Sequence, residues 1–158
     1  MTHPPRPKQL RLIIETDDFE EALRFYRDIL GMPEQVAFAT DGEDRVAILH
    51  AGVATIELAT GVHARNIDAV EGMPPGSGSS LRMALEVEDT VDAVARVVDA
   101  GVTVLAAPTH TPFRSLNARV QGPAGWQVTL FQECESLEQR RERPGFLTDG
   151  ERDRSSEP

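Results

Sequence analysis

Residues 10–25 read LRLIIETDDFEEALRF, and residues 81–96 read LRMALEVEDTVDAVAR. Laid together they share Leu10 with Leu81, Arg11 with Arg82, Glu15 with Glu86, Asp18 with Asp89 and Ala22 with Ala93, all at an offset of 71 residues. Self-similarity at one fixed offset marks an internal duplication. Each copy predicts a strand running into a helix capped by its aspartate, because the carboxylate satisfies N–H groups that a first helical turn leaves unpaired. The chain therefore reads as two similar modules facing one another.

Outward from the first copy, Leu10 to Glu15 is apolar and rich in β-branched side chains, which predicts a strand buried on both faces. Asp18 followed by Glu21 makes a capping-box-like start. Phe19, Ala22, Leu23, Tyr26, Ile29 and Leu30 then form one apolar stripe at helical spacing, and Gly31 with Pro33 ends the helix. Phe25 and Tyr26 lie on or beside that stripe and are read as structural. Strands are predicted at 35–40, 45–51 and 54–60, joined by the turn-forming DGED at 41–44 and AG at 51–52.

The second copy repeats the plan. A strand at 80–87 leads to a helix at 90–100, capped by Asp89 and closed by Gly101. Strands follow at 104–107, 116–121 and 127–132, separated by the loop PTHTPF at 108–113 and the turn GPAG at 122–125. Between the copies, residues 61–80 include GMPPGSGSS at 72–80 and read as a flexible crossing. The predicted organisation is a lead at 1–9, a first βαβββ module at 10–60, a linker at 61–79, a second module at 80–133 and a charged tail at 134–158. The tail is expected to start as a charged helix from Glu133 and then lose order.

With 16 Lys+Arg against 26 Asp+Glu the 158-residue chain carries a formal charge of −10. It shows no basic stripe, so nucleic acid is not an expected partner. The lead MTHPPRPKQ has no apolar signal-peptide core and no apolar run reaches membrane-spanning length, so a cytoplasmic protein without a membrane partner is expected. Cys134 is the sole cysteine, which excludes an internal disulfide framework and fits a reducing compartment. It is read as a small, partly buried hydrophobe.

The segments DDFEEALRFYRDILGM at 17–32, TIEL at 55–58, EDTVDAVARVVDAGV at 88–102 and NARVQGPAGWQVTLFQE at 117–133, in this order and on this repeat, resemble the vicinal oxygen chelate superfamily. That group holds glyoxalase I, extradiol dioxygenases and bleomycin-resistance proteins. The resemblance covers nearly all of residues 10–133. It implies an α+β fold in which two paired βαβββ modules form a curled mixed sheet around a cavity, often completed across a homodimer.

Metal-using members of the superfamily bind one divalent ion with four side chains, a His or Gln on the first strand of each module and a Glu on the last. The resemblance places the first-strand positions at Arg11 and Arg82 and the last-strand positions at Glu57 and Thr129. Arginine stays protonated and offers no lone pair. Only Glu57 is able to serve as a ligand, and one carboxylate is too little for a catalytic divalent ion. No metal and no other cofactor are expected. His50, His63 and His110 lack a short paired spacing, and the Gly-rich GSGSS at 76–80 precedes a strand rather than a helix, so it is a poor phosphate cradle.

The resemblance implies that the altered position gathers Arg11, Arg82 and Glu57, with Glu57 bridging the arginines because buried charges need partners. Such a cluster is either structural glue or a receptor whose spare donors take a carboxylate, phenolate or carbonyl of a ligand. Phe38, Phe113 and Trp126 are placed at the cavity border, where aromatic faces stack planar molecules; ordinary core packing is the alternative for each. The expected ligand-binding set is Arg11, Phe38, Glu57, Arg82, Phe113, Trp126 and Thr129. No catalytic residue is expected, since a carboxylate held between arginines is a weak base.

The function this implies is sequestration of an aromatic natural product or antibiotic without metal, similar to the bleomycin-resistance branch. The alternatives are a lyase, isomerase or dioxygenase of the same superfamily with an unusual metal site or none, and a dimer whose cavity is filled by its own side chains. The ligand's charge and the pairing of modules within or between chains stay open.

Overall fold

Asp18 and Asp89 act as the repeat predicts. In the computed structural model, which describes residues 12, 14, 16–35, 45, 47–54, 61–144 and 146, the Asp18 carboxylate accepts the Glu21 N–H at 3.0 Å and the Asp89 carboxylate accepts the Asp92 N–H at 2.9 Å. The helices they cap start at Phe19 and Thr90, once more 71 residues apart. The first, α1, runs over Phe19–Leu23 and continues as a π-helical segment over Arg24–Ile29. Its i→i+5 bond, from the Leu30 N–H to the Phe25 carbonyl at 3.0 Å, changes the winding. Phe25 is thereby buried next to Tyr26 of the predicted stripe, whose other members Phe19, Ala22, Leu23, Ile29 and Leu30 are partly buried. Gly31 then takes a positive φ of 70° and the helix stops.

Strands β1, Glu34–Gln35, and β2, Ile48–Leu49, pair antiparallel. The predicted strands at 10–15 and 54–60 fall mainly outside the described residues, as do Arg11, Phe38 and Glu57. Helix α2, Gly61–Glu71, comes next. It corrects the reading of 61–80 as a flexible crossing: the Gly, Pro and Ser that suggested a loop are concentrated in 72–80, and only that part lacks a helix or strand. Gly72, at φ 81°, ends the helix, and Met73 turns back into the protein and is buried.

The second module is described whole: β3 Arg82–Glu86, α3 Thr90–Asp99, β4 Val104–His110, β5 Ser115–Gln121 and β6 Gln127–Glu133. Its curled, unclosed sheet has the order β3-β6-β5-β4, with β3 parallel to β6 and the other pairs antiparallel. Strand alternation sorts the side chains onto two faces. Ala118, Val120, Val128 and Leu130 are fully buried on one face. Ala93, Val94 and Val97 of α3 join that core together with Phe25 and Tyr26, and Thr90, buried on the same helical face, donates its hydroxyl to the Leu116 carbonyl. Arg82, Thr129, Arg119, Asn117 and Ser115 occupy positions on the other face.

β4 runs on to His110, past the predicted end at 107 and through Pro108. It is an edge strand with register shifts against β5, where a missing N–H is tolerated. A short α4, Leu137–Arg141, follows β6, started by a capping box between Ser136 and Gln139. Cys134 is exposed rather than partly buried, because it lies past the end of the ladder. No helix among the described residues is long and apolar enough to cross a membrane.

Candidate functional site

Arg119 is wholly buried near the middle of the sheet's polar face. A guanidinium in such a place needs paired charge and hydrogen-bond acceptors, and α2 supplies the charge and an acceptor for each terminal nitrogen. Asp68 Oδ1 lies 2.5 Å from Arg119 Nη1 and Glu71 Oε2 lies 2.5 Å from Nη2. Three residues apart on a helix, the two carboxylates share one side. Asp68 Oδ1 is also 3.5 Å from Arg82 Nη1, so guanidiniums on β3 and β5 share one oxygen.

Glu71 extends the network along the face. Its Oε1 accepts from Asn117 Nδ2 at 3.0 Å, Asn117 Oδ1 accepts from Ser115 Oγ at 2.7 Å, and Ser115 Oγ lies 2.9 Å from Thr111 Oγ1. The group carries two cations and two anions and is formally neutral. Glu71 is the one buried side chain of α2, so this helix sits on the sheet by its acids rather than by an apolar stripe. A Cβ on Gly78 would fall on the Asp68 carboxylate. Glycine there is what lets the following loop close over the ion pair.

Two polar atoms on this face have no partner among the described residues, although both are buried: Arg119 Nε and Thr129 Oγ1. Arg119 and Thr129 are directly opposed across β5 and β6. A buried group left unpaired costs about 1–3 kcal/mol, so the pair is a position where an added oxygen would be stabilised. Nε–H donates, and the threonine hydroxyl both donates and accepts.

Of the residues expected from the sequence, the structure brings Arg82 and Thr129 onto this face. Arg82 is paired with Asp68; the expected bridge from Glu57 lies outside the described residues, with Arg11 and Phe38. Trp126 and Phe113 are separated. Trp126 is half-buried in the turn leading into β6, beside Gln127, which pairs with Arg82; Phe113 is half-buried in the turn between β4 and β5. The seven-residue β5 lies between them, roughly 20 Å of strand. They do not form one stacking platform, and only Trp126 lies at the Arg82 end.

His50 follows β2, His63 is in α2 and His110 ends β4. No group of three or more His, Cys, Asp or Glu able to hold a metal occurs among the described residues. Sequence reasoning missed Arg119, Asp68 and Glu71. The signals were the alternation of Asn117, Arg119 and Gln121 against Leu116, Ala118 and Val120, and the i, i+3 spacing of the two acids.

The family model described as Glyoxalase/Bleomycin resistance protein/Dioxygenase superfamily matches residues 8–130. The chain belongs to this superfamily. Among solved structures of the superfamily, a glyoxalase/bleomycin resistance protein/dioxygenase from Nocardioides is 22% identical, with 92% of each chain covered and a TM-score of 0.52. A glyoxalase-related enzyme from Fulvimarina pelagi is 17% identical over 80% of this chain and 89% of its own, at a TM-score of 0.51. An antibiotic binding protein from a Streptomyces species is 24% identical over 76% of this chain and 90% of its own, at 0.49. At these identities the likeness is one of fold. No curated protein matches the chain in sequence.

The metal that the superfamily implies does not fit the second module's donors. Its two positions hold a guanidinium already engaged with Asp68 and a threonine hydroxyl, and the carboxylates nearby are committed to Arg119. A cation would meet the Arg82 guanidinium where metal-using members supply a lone pair.

Proposed function

We propose that this superfamily member is a small-molecule binding protein that sequesters an aromatic natural product or antibiotic without using a metal. The observation that carries the reading is that Arg82 and Thr129 stand at the second module's two ligand positions, with Arg82 tied into the Asp68, Arg119 and Glu71 cluster and with Arg119 Nε and Thr129 Oγ1 left without a partner among the described residues. Such a cluster binds a ligand's oxygen by charge-assisted hydrogen bonds and offers neither a nucleophile nor a base poised for turnover. Trp126, at the Arg82 end, gives an apolar surface for a ring. In this reading the protein works as a cytoplasmic homodimer, and binding stoichiometry rather than rate is what it supplies.

Native mass spectrometry with elemental analysis, during titration with a panel of aromatic antibiotics, tests this. One compound per cavity, released unchanged, with no stoichiometric metal, is the expected result. Metal near one per site, or a chemically altered compound, would overturn it in favour of a lyase, isomerase or dioxygenase. The position of α2 across the polar face favours a second reading, in which the chain fills its own site; no uptake from the panel would support that one.

A further inference from the structure

Resting on the binding reading, we propose that α2 is a displaceable lid and that Asp68 holds the place of an acidic group on the ligand. The ligand class this names is an aromatic monoanion, a carboxylate or a phenolate. The argument starts from charge. With Asp68 in place the cluster is neutral and has no room for an anion; with Asp68 swung away, Arg82 and Arg119 face Glu71 alone and the cluster takes one negative charge.

The two acids are not equivalent. The Glu71 side chain is 1% exposed and is also held by Asn117, whereas the Asp68 side chain is 18% exposed, and its second partner Arg82 is 19% exposed. Solvent and solutes therefore reach the Asp68 end of the network. Glu71 and the buried Met73 anchor the C-terminal end of α2, and the Met73 N–H donates to the Asp68 carbonyl at 2.9 Å, so the Asp68 backbone stays and its side chain leaves by rotation as the helix before it lifts. Gly72 within that anchor and Gly76 just after it are both at positive φ.

The second observation is independent of charge. With the lid closed, Arg119 Nε and Thr129 Oγ1 are buried and have no partner among the described residues. They belong to directly opposed residues of β5 and β6. An incoming carboxylate or phenolate oxygen takes the Arg119 donors and the Thr129 hydroxyl together, which Asp68 from its helix does not do.

The test uses the full chain and Asp68→Asn, which keeps the shape and removes the charge. Salicylate and the neutral aromatic amide benzamide are titrated calorimetrically, and amide exchange over 61–71 is followed with and without salicylate. Salicylate should bind Asp68→Asn at least tenfold tighter than the native protein, benzamide should not distinguish them, and adding Arg82→Gln should abolish the gain. In the native protein, salicylate should speed exchange in 61–71 and leave 115–133 unchanged. Equal salicylate affinity in both proteins, or unaltered exchange at saturation, overturns the lid. If Asp68→Asn does not fold, the exchange measurement on the native chain and the single variant Arg82→Gln, which should weaken salicylate at least tenfold, decide the matter. A neutral compound that binds while the acid arms fail removes the lid and leaves the binding reading standing; no binding by any compound removes both.

Discussion

Tyr26 is 6% exposed and its hydroxyl has no partner among the described residues. Burial raises its pKa to about 12. Tyr26→Phe keeps the edge-to-face contact with Phe25 and removes an unsatisfied group, so it should leave stability at pH 7 unchanged or raise it by up to about 1 kcal/mol. The pH dependence has a definite sign. The unfolded chain loses the phenol proton near pH 10 and the folded chain only near 12. Native stability therefore falls across that interval, by about 2–3 kcal/mol from this group. Urea denaturation at pH 9 and pH 11.5 should show that difference between native protein and Tyr26→Phe; parallel losses would show that the phenol is not its source. On the opposite face, Arg119→Met leaves Asp68 and Glu71 without their main cation and should cost about 3–5 kcal/mol. Adding Glu71→Met should recover much of that loss, and a double variant no better than the single one would show that shape rather than charge is at fault.

At the level of elements, the caps are the most local features and the easiest to test. Asp89→Ala should cost about 1 kcal/mol in denaturant unfolding, because the Asp92 N–H loses its acceptor at the start of α3; no change would mean that water replaces the carboxylate fully. The same locality explains what was legible in the sequence. Asp18, Asp89, Gly31 and Gly101 announce themselves within a few residues, and all take the predicted places. The π segment is not of that kind, since one widened turn decides which of Phe25 and its neighbours face inward. Nor is α2 legible by hydropathy: it has no strong apolar stripe, and its reason for being a helix against this sheet is Arg119, more than 45 residues further on. Arg82 and Thr129 were found through the repeat and the family pattern. Asp68 and Glu71 were hidden in a stretch whose later glycines and prolines dominated its reading.

The whole molecule carries a formal charge of −10, and its exposed pairs, such as Arg27 with Asp28 and Glu34, contribute little each. Self-repulsion of the surface outweighs them, while the buried cluster is poorly screened by salt. Raising NaCl from about 10 to about 200 mM should therefore raise Tm by roughly 2–4 °C, which for a chain of this size corresponds to about 1 kcal/mol. A fall in scanning calorimetry would show that surface pairs dominate instead. The sheet order has a further meaning for how the protein comes into being. β6 is flanked by β3 on one side and β5 on the other, yet among the described strands it is the last to leave the ribosome. A nascent chain that ends before Gln127 has a β3 without its described neighbour and a β4–β5 hairpin whose β5 edge is bare, displaying Ala118 and Val120 to whatever is nearby. The middle of this sheet is made last, so chaperone capture or aggregation of unfinished chains is decided by how quickly one seven-residue strand follows the hairpin.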